Sequence, residues 1–116
     1  MNVSDIGVWL LCICSSASAA GSTFPSEVAT FVERRESCDH WRGEYGYDEE
    51  RQRDIDWSMC QTCPGTDAEL VRLKKKYANN RQAVDKLNEF EPDIEPKDKA
   101  EAQRFCKGTR RPAWYK

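Results

Sequence analysis

The chain opens apolar and then turns polar. Positions 6–14 read I-G-V-W-L-L-C-I-C, and small residues follow as far as Ala20. A run that short cannot cross a bilayer but matches the hydrophobic region of a secretory leader. Ala17-x-Ala19 supplies the best cleavage signal, with Ser18-x-Ala20 one step behind. Residues 1–19 are therefore expected to be a signal peptide and 20–25 a flexible lead. Residues 1–5 carry Asp5 and no base, against the usual pattern. A retained lipid anchor on Cys14 is the competing expectation. Ile13 and Leu11 do not supply the small residue that such a site needs.

Beyond the leader the apolar positions recur at helical spacing. Val28, Phe31, Val32, Arg35 and Cys38 make one face of a first helix, opened by Ser26 as cap and stopped at Gly43. Tyr45 and Tyr47, in the Gly43–Tyr47 loop, are expected to fold back on the core. Asp48 caps a second helix whose weaker face runs Tyr47, Arg51, Ile55 and Met59, with Trp57 to one side, and Cys60-Gln61-Thr62-Cys63 closes it. After Pro64-Gly65, Thr66-Asp67-Ala68-Glu69 has the form of a capping box, and Leu70, Leu73 and Tyr77 follow. Ala83, Val84, Leu87 and Phe90 stripe a fourth helix beyond the Asn79-Asn80 turn, making an antiparallel hairpin with the third. Pro92 and Pro96 bracket an extended linker, and Asp98 starts a short helix that Gly108 ends. No segment alternates with period two. The expected fold class is all-α: a small bundle of four to five short helices over 26–108, stapled by disulfides, with a flexible tail at 109–116.

Composition sharpens this picture. Charged residues make up 33% of the chain and the net charge is −2. Cleavage removes Asp5 and no base, leaving a mature charge near −1. A charge so close to zero argues against a nucleic-acid binder. With few aliphatic residues beyond the leader, the core is thin for the length, and covalent staples acquire a physical job.

Four cysteines remain after the leader: Cys38, Cys60, Cys63 and Cys106. In an exported chain an even count reads as two disulfides. A Cys60–Cys63 bridge would close a tight loop of little value. Cys38 is therefore expected to join one member of that pair and Cys106 the other, with the choice left open. A Cys38–Cys60 bridge, for example, would contribute ~3 kcal/mol in the loop-entropy model. The alternative is a metal-binding or thiol-redox protein using Cys38, His40, Cys60 and Cys63. A redox pair normally opens a helix after a strand, whereas Cys60-x-x-Cys63 closes one and Pro64 follows. Zinc would strand Cys106, and the zinc-deaminase pattern is missing its glutamate two residues after His40.

His40 is the chain's single histidine, so a histidine-based relay has no second member. The run Cys38-Asp39-His40-Trp41-Arg42-Gly43-Glu44 is the densest polar and aromatic cluster. It reads first as a helix C-terminus, with a cation at the negative end and glycine as stop. Its functional reading turns His40, Trp41, Arg42 and Glu44 toward a partner. The acids Asp48, Glu49, Glu50, Asp54 and Asp56 alternate with Arg51 and Arg53, as on a solvated helix face. The tail T-R-R-P-A-W-Y-K offers Arg111 and Trp114, with Arg110 and Tyr115, as a docking segment of the residue types that anchor interfaces.

The segments Cys38-Asp39-His40-Trp41-Arg42-Gly43-Glu44 and Cys63-Pro64-Gly65-Thr66-Asp67-Ala68-Glu69-Leu70, with Lys76-Tyr77, resemble a group of small, exported, uncharacterised proteobacterial proteins. There a C-D-H-x-x-G-E segment precedes a C-x-G-T-D-x-x-L helix. The resemblance covers roughly residues 31–90. It implies a periplasmic helical domain and supplies no activity. The sequence thus points to a non-enzymatic binding or inhibitor module of the immunity-like kind. Another protein is its expected partner, with no cofactor, no nucleic acid and no membrane once the leader is cut.

Overall fold

The computed structural model describes residues 24–115, so the expected leader, its expected cleavage site and most of the stretch read as a flexible lead lie outside the described residues, as does Lys116. Five helices follow one another: α1 Ser26–Arg42, α2 Glu49–Thr62, α3 Thr66–Lys76, α4 Arg81–Leu87 and α5 Lys99–Lys107. No strand occurs among the described residues, and none of the helices is long and apolar enough to cross a membrane. The all-α expectation holds.

α1 organises the rest, packing on α2, α3 and α4. Val28 and Phe31 of α1 meet Leu70 and Leu73 of α3, Ala83 and Leu87 of α4, and Phe90 just beyond it. Phe24, Val32 and Tyr77 close the edges of that core. The face expected of α1 is the buried one, including Arg35 and Cys38. In α2 the inward residues are Ile55 and Ser58, one turn apart. Tyr47, assigned to that face from spacing, is instead exposed, and Tyr45 is 79% exposed beside it. Gly43 stops α1 and sends the loop outward, so neither ring reaches the core.

The helix starts show which local signals were sufficient. Asp48 Oδ1 accepts from Arg51 N (2.7 Å), Asn80 Oδ1 from Ala83 N (3.1 Å) and Asp98 Oδ1 from Glu101 N (3.0 Å). Ser26 is not a cap: α1 follows Pro25 and has no side-chain cap. The Thr66–Glu69 box does not form either. Gly65, with φ +83°, precedes α3 in the left-handed region that glycine occupies freely. Thr66 lies inside the helix, buried, and its Oγ1 donates to Cys63 O (2.7 Å). Glu95 caps α3 at long range, its Oε1 accepting from Asp67 N (2.9 Å), while the Asp67 carboxylate accepts from Ile94 N (3.1 Å) and Glu95 N (2.9 Å). The 92–96 linker is thereby fastened to the start of α3. α4 is shorter than its apolar stripe: the helix ends at Leu87, and Phe90 reaches the core from the following turn, edge-on to Phe31 at 5.7 Å.

Two disulfides join the helices. Cys38–Cys63 fixes α1 to the end of α2, and Cys60–Cys106 fixes α2 to α5. Each member of the Cys60/Cys63 pair takes a distant partner, as loop length suggested. It is Cys63, not Cys60, that holds Cys38.

Candidate functional site

The C-terminal end of α1 carries the site. Gly43 N–H closes on Asp39 O and His40 O, and the chain then turns so that Glu44 lies back beside the helix it has just left. Its carboxylate is shared. Oε1 faces His40 Nε2 at 3.2 Å, and Oε2 accepts from the Arg51 guanidinium at 3.2 Å. Asp48 secures the first turn of α2, which places Arg51 over the Trp41 ring, 5.1 Å from its centre. The opposite charges hold the loop, and the cation is drawn to the ring's negative face.

The tail completes this face. Thr109 folds against the end of α5 through bonds to Cys106 O, Pro112 is buried, and Tyr115 N donates to Pro112 O (3.2 Å). This turn lays Trp114 on Trp41, with ring centres 6.4 Å apart and planes 17° from parallel, and sets Tyr115 against Trp57 at 4.7 Å. Arg111 covers the Tyr115 ring at 4.9 Å. The tail's position follows from covalent structure. Trp57 precedes Cys60 by one helical turn, and Cys60 holds Cys106 at the root of the tail. Trp114 and Tyr115 nevertheless stay 52% and 47% exposed. The result is a half-open surface of aromatic rings with guanidinium groups and a His–Glu pair at its edge.

Of the residues singled out from sequence, His40, Trp41, Glu44, Arg111 and Trp114 gather on this face. Arg42 does not: it bonds Asp39 Oδ1 (2.9 Å) and Glu91 Oε2 (3.2 Å). Arg51 and Trp57 were missed. Arg51 resembles any base on a charged helix. Trp57 had one signal, its place a turn before Cys60, which becomes informative only once Cys60 is known to hold Cys106. The four donors of the metal reading are not brought together. Cys38, Cys60 and Cys63 are in disulfides, and His40 turns to Glu44. Among the described residues no group of three His, Cys, Asp or Glu side chains forms a metal cradle.

No family model, curated protein or solved structure matches this chain.

Proposed function

We propose that the chain is an exported, periplasmic, non-enzymatic binding module, of the inhibitor or immunity-like kind, that covers part of another protein with its aromatic face. The observation that carries this reading is the half-exposed cluster of Trp41, Trp57, Trp114 and Tyr115 with Arg51 and Arg111 over its rings. Trp, Tyr and Arg are the residues on which interface energy concentrates: the rings bury much area at small entropic cost, and the guanidinium adds a planar set of donors. Two disulfides suit an oxidising compartment and hold the face in place, so little ordering remains to be done on binding. No observation favours the metal or thiol-redox reading over this one.

Photocrosslinking in exporting cells tests it. A benzophenone amino acid replacing Tyr45, next to the face, should give one discrete protein adduct, and Trp114→Ala should suppress it. The same group replacing exposed Val71 of α3 should give none. Equal adducts from both positions, or none from Tyr45, would remove the proposal.

A further inference from the structure

A concavity of about 770 Å³ opens between the C-terminal end of α2, the 92–96 segment and α5. Its surface is mainly apolar: Met59, Ile94, Pro96, Ala102 and Phe105 line it together with cysteines of both disulfides. α5 forms one wall. Ala102, Phe105 and Cys106 share a face of that helix, yet none of its residues is buried, and Phe105 is 56% exposed. The rim is acidic. Asp56, Glu95, Asp98 and Glu101 border the groove, and none of the four has a cation within ion-pair distance among the described residues. Arg42, also on the rim, is already held by Asp39 and Glu91, which leaves Lys99 as the remaining base there.

We infer that this groove receives a cationic amphipathic helix of another polypeptide. A helix lying along α5, roughly 13 Å in length, would set apolar residues at i, i+3, i+4 and i+7 against Phe105, Met59 and Ile94. Its lysines or arginines would meet the carboxylates that lack a cation. The charge pattern selects this occupant. Asp56 accepts from Gln52, Glu95 from Asp67 N and Asp98 from Glu101 N. A neutral or acidic segment would still leave all four negative charges without a cation beside a newly dried surface, whereas a basic one neutralises them as water leaves. The aromatic face plays no part in this, so either surface can fail without the other.

The probe is a synthetic helix of about 14 residues with leucine at those apolar positions and lysine elsewhere, and its counterpart carries glutamate in place of lysine. Each is titrated into the exported, disulfide-bonded chain and followed by calorimetry and backbone amide shifts. The lysine peptide should bind and shift the Ile94 and Phe105 amides, and the glutamate peptide should not. Phe105→Ser and Glu101→Lys, both at exposed positions, should each weaken binding about tenfold, and Trp114→Ala should leave it unchanged. Equal binding of both peptides, indifference to Phe105→Ser, or shifts confined to the aromatic face would overturn the inference. So would concentration-dependent self-association abolished by Phe105→Ser, which would make a second copy the occupant.

Discussion

Arg35 lies on α1 with no solvent exposure, and its guanidinium is answered from three directions. Nε donates to Asp39 Oδ1 (3.1 Å), one terminal nitrogen to Glu91 O (2.7 Å), and the group stands over Phe90 at 5.6 Å. The other terminal nitrogen is buried without a protein partner. The arginine thus spans the gap between α1 and the chain leaving α4, where an aliphatic side chain could pack but could not bond the carbonyl. Arg35→Ala should cost about 2–4 kcal/mol through lost packing and a buried carbonyl left unmet. Arg35→Met, which keeps the stem's contacts, should fall between that variant and the parent in urea unfolding. Equal midpoints for parent and Arg35→Ala would contradict the role given to this residue. Glu27 shows the opposite case, a charge network at the surface. Hydrogen bonds from Lys76 and then Tyr77, with a lesser one from Arg72, outweigh desolvation and hold its carboxyl at about 2. A carboxylate depressed in this way stabilises the fold above its unfolded value of 4.5, and the contribution is lost as pH falls from there toward 2. Glu27→Gln should therefore flatten the decline in Tm across that window and lower Tm modestly at neutral pH. An unchanged slope would place the acid sensitivity elsewhere.

Among the elements, α3 shows what a long-range contact does to a local signal. Thr66 and Glu69 have the spacing of a capping box, yet Thr66 Oγ1 returns to Cys63 and Glu69 binds Arg72 at 2.6 Å. Asp67, one of the two residues between them, serves the 92–96 segment, and no pattern of four residues can report a partner 28 positions away. Asp67→Ala should leave α3 helical, since the turns after it are held by Leu70 and Leu73 in the core. The Ile94 and Glu95 amides should then exchange with solvent about tenfold faster or more, as two bonds to a carboxylate are lost. Protection unchanged at those amides would show that the prolines, not Asp67, order the segment. The same reasoning explains what was legible. α1, α3 and the caps of α2 and α5 follow from residues within a turn or two of each other. The early end of α4 and the joining of Trp57 to Tyr115 depend on which distant segment arrives. For the aromatic face this means that His40, Trp41 and Glu44 can be read from their run, whereas Arg51 and Trp57 acquire their places from the fold.

At the scale of the whole molecule the two disulfides have different tasks. Cys38–Cys63 spans 25 residues and links α1 with α2, which also share a packed interface around Ile55. Cys60–Cys106 spans 46 residues and holds α5, a helix with no buried residue that rests on α2, together with the tail beyond it. Loop entropy alone would rank the second bridge slightly higher, at about 4 kcal/mol against about 3.5. That ranking assumes that both loops are closed within one cooperative unit. Here the second bridge joins a body to an appendage, so losing it releases α5 and the tail while the α1–α4 core keeps its contacts. Paired replacements separate the two without leaving an odd thiol. Cys38→Ser with Cys63→Ser should lower the main unfolding midpoint strongly. Cys60→Ser with Cys106→Ser should leave that midpoint near the parent's but abolish the near-ultraviolet dichroism of stacked Trp41 and Trp114, and with it the crosslink from Tyr45. If the second pair instead collapsed the main transition, α5 would belong to the cooperative core. The aromatic face would then be an integral part of the fold rather than a surface secured by one sulfur bridge.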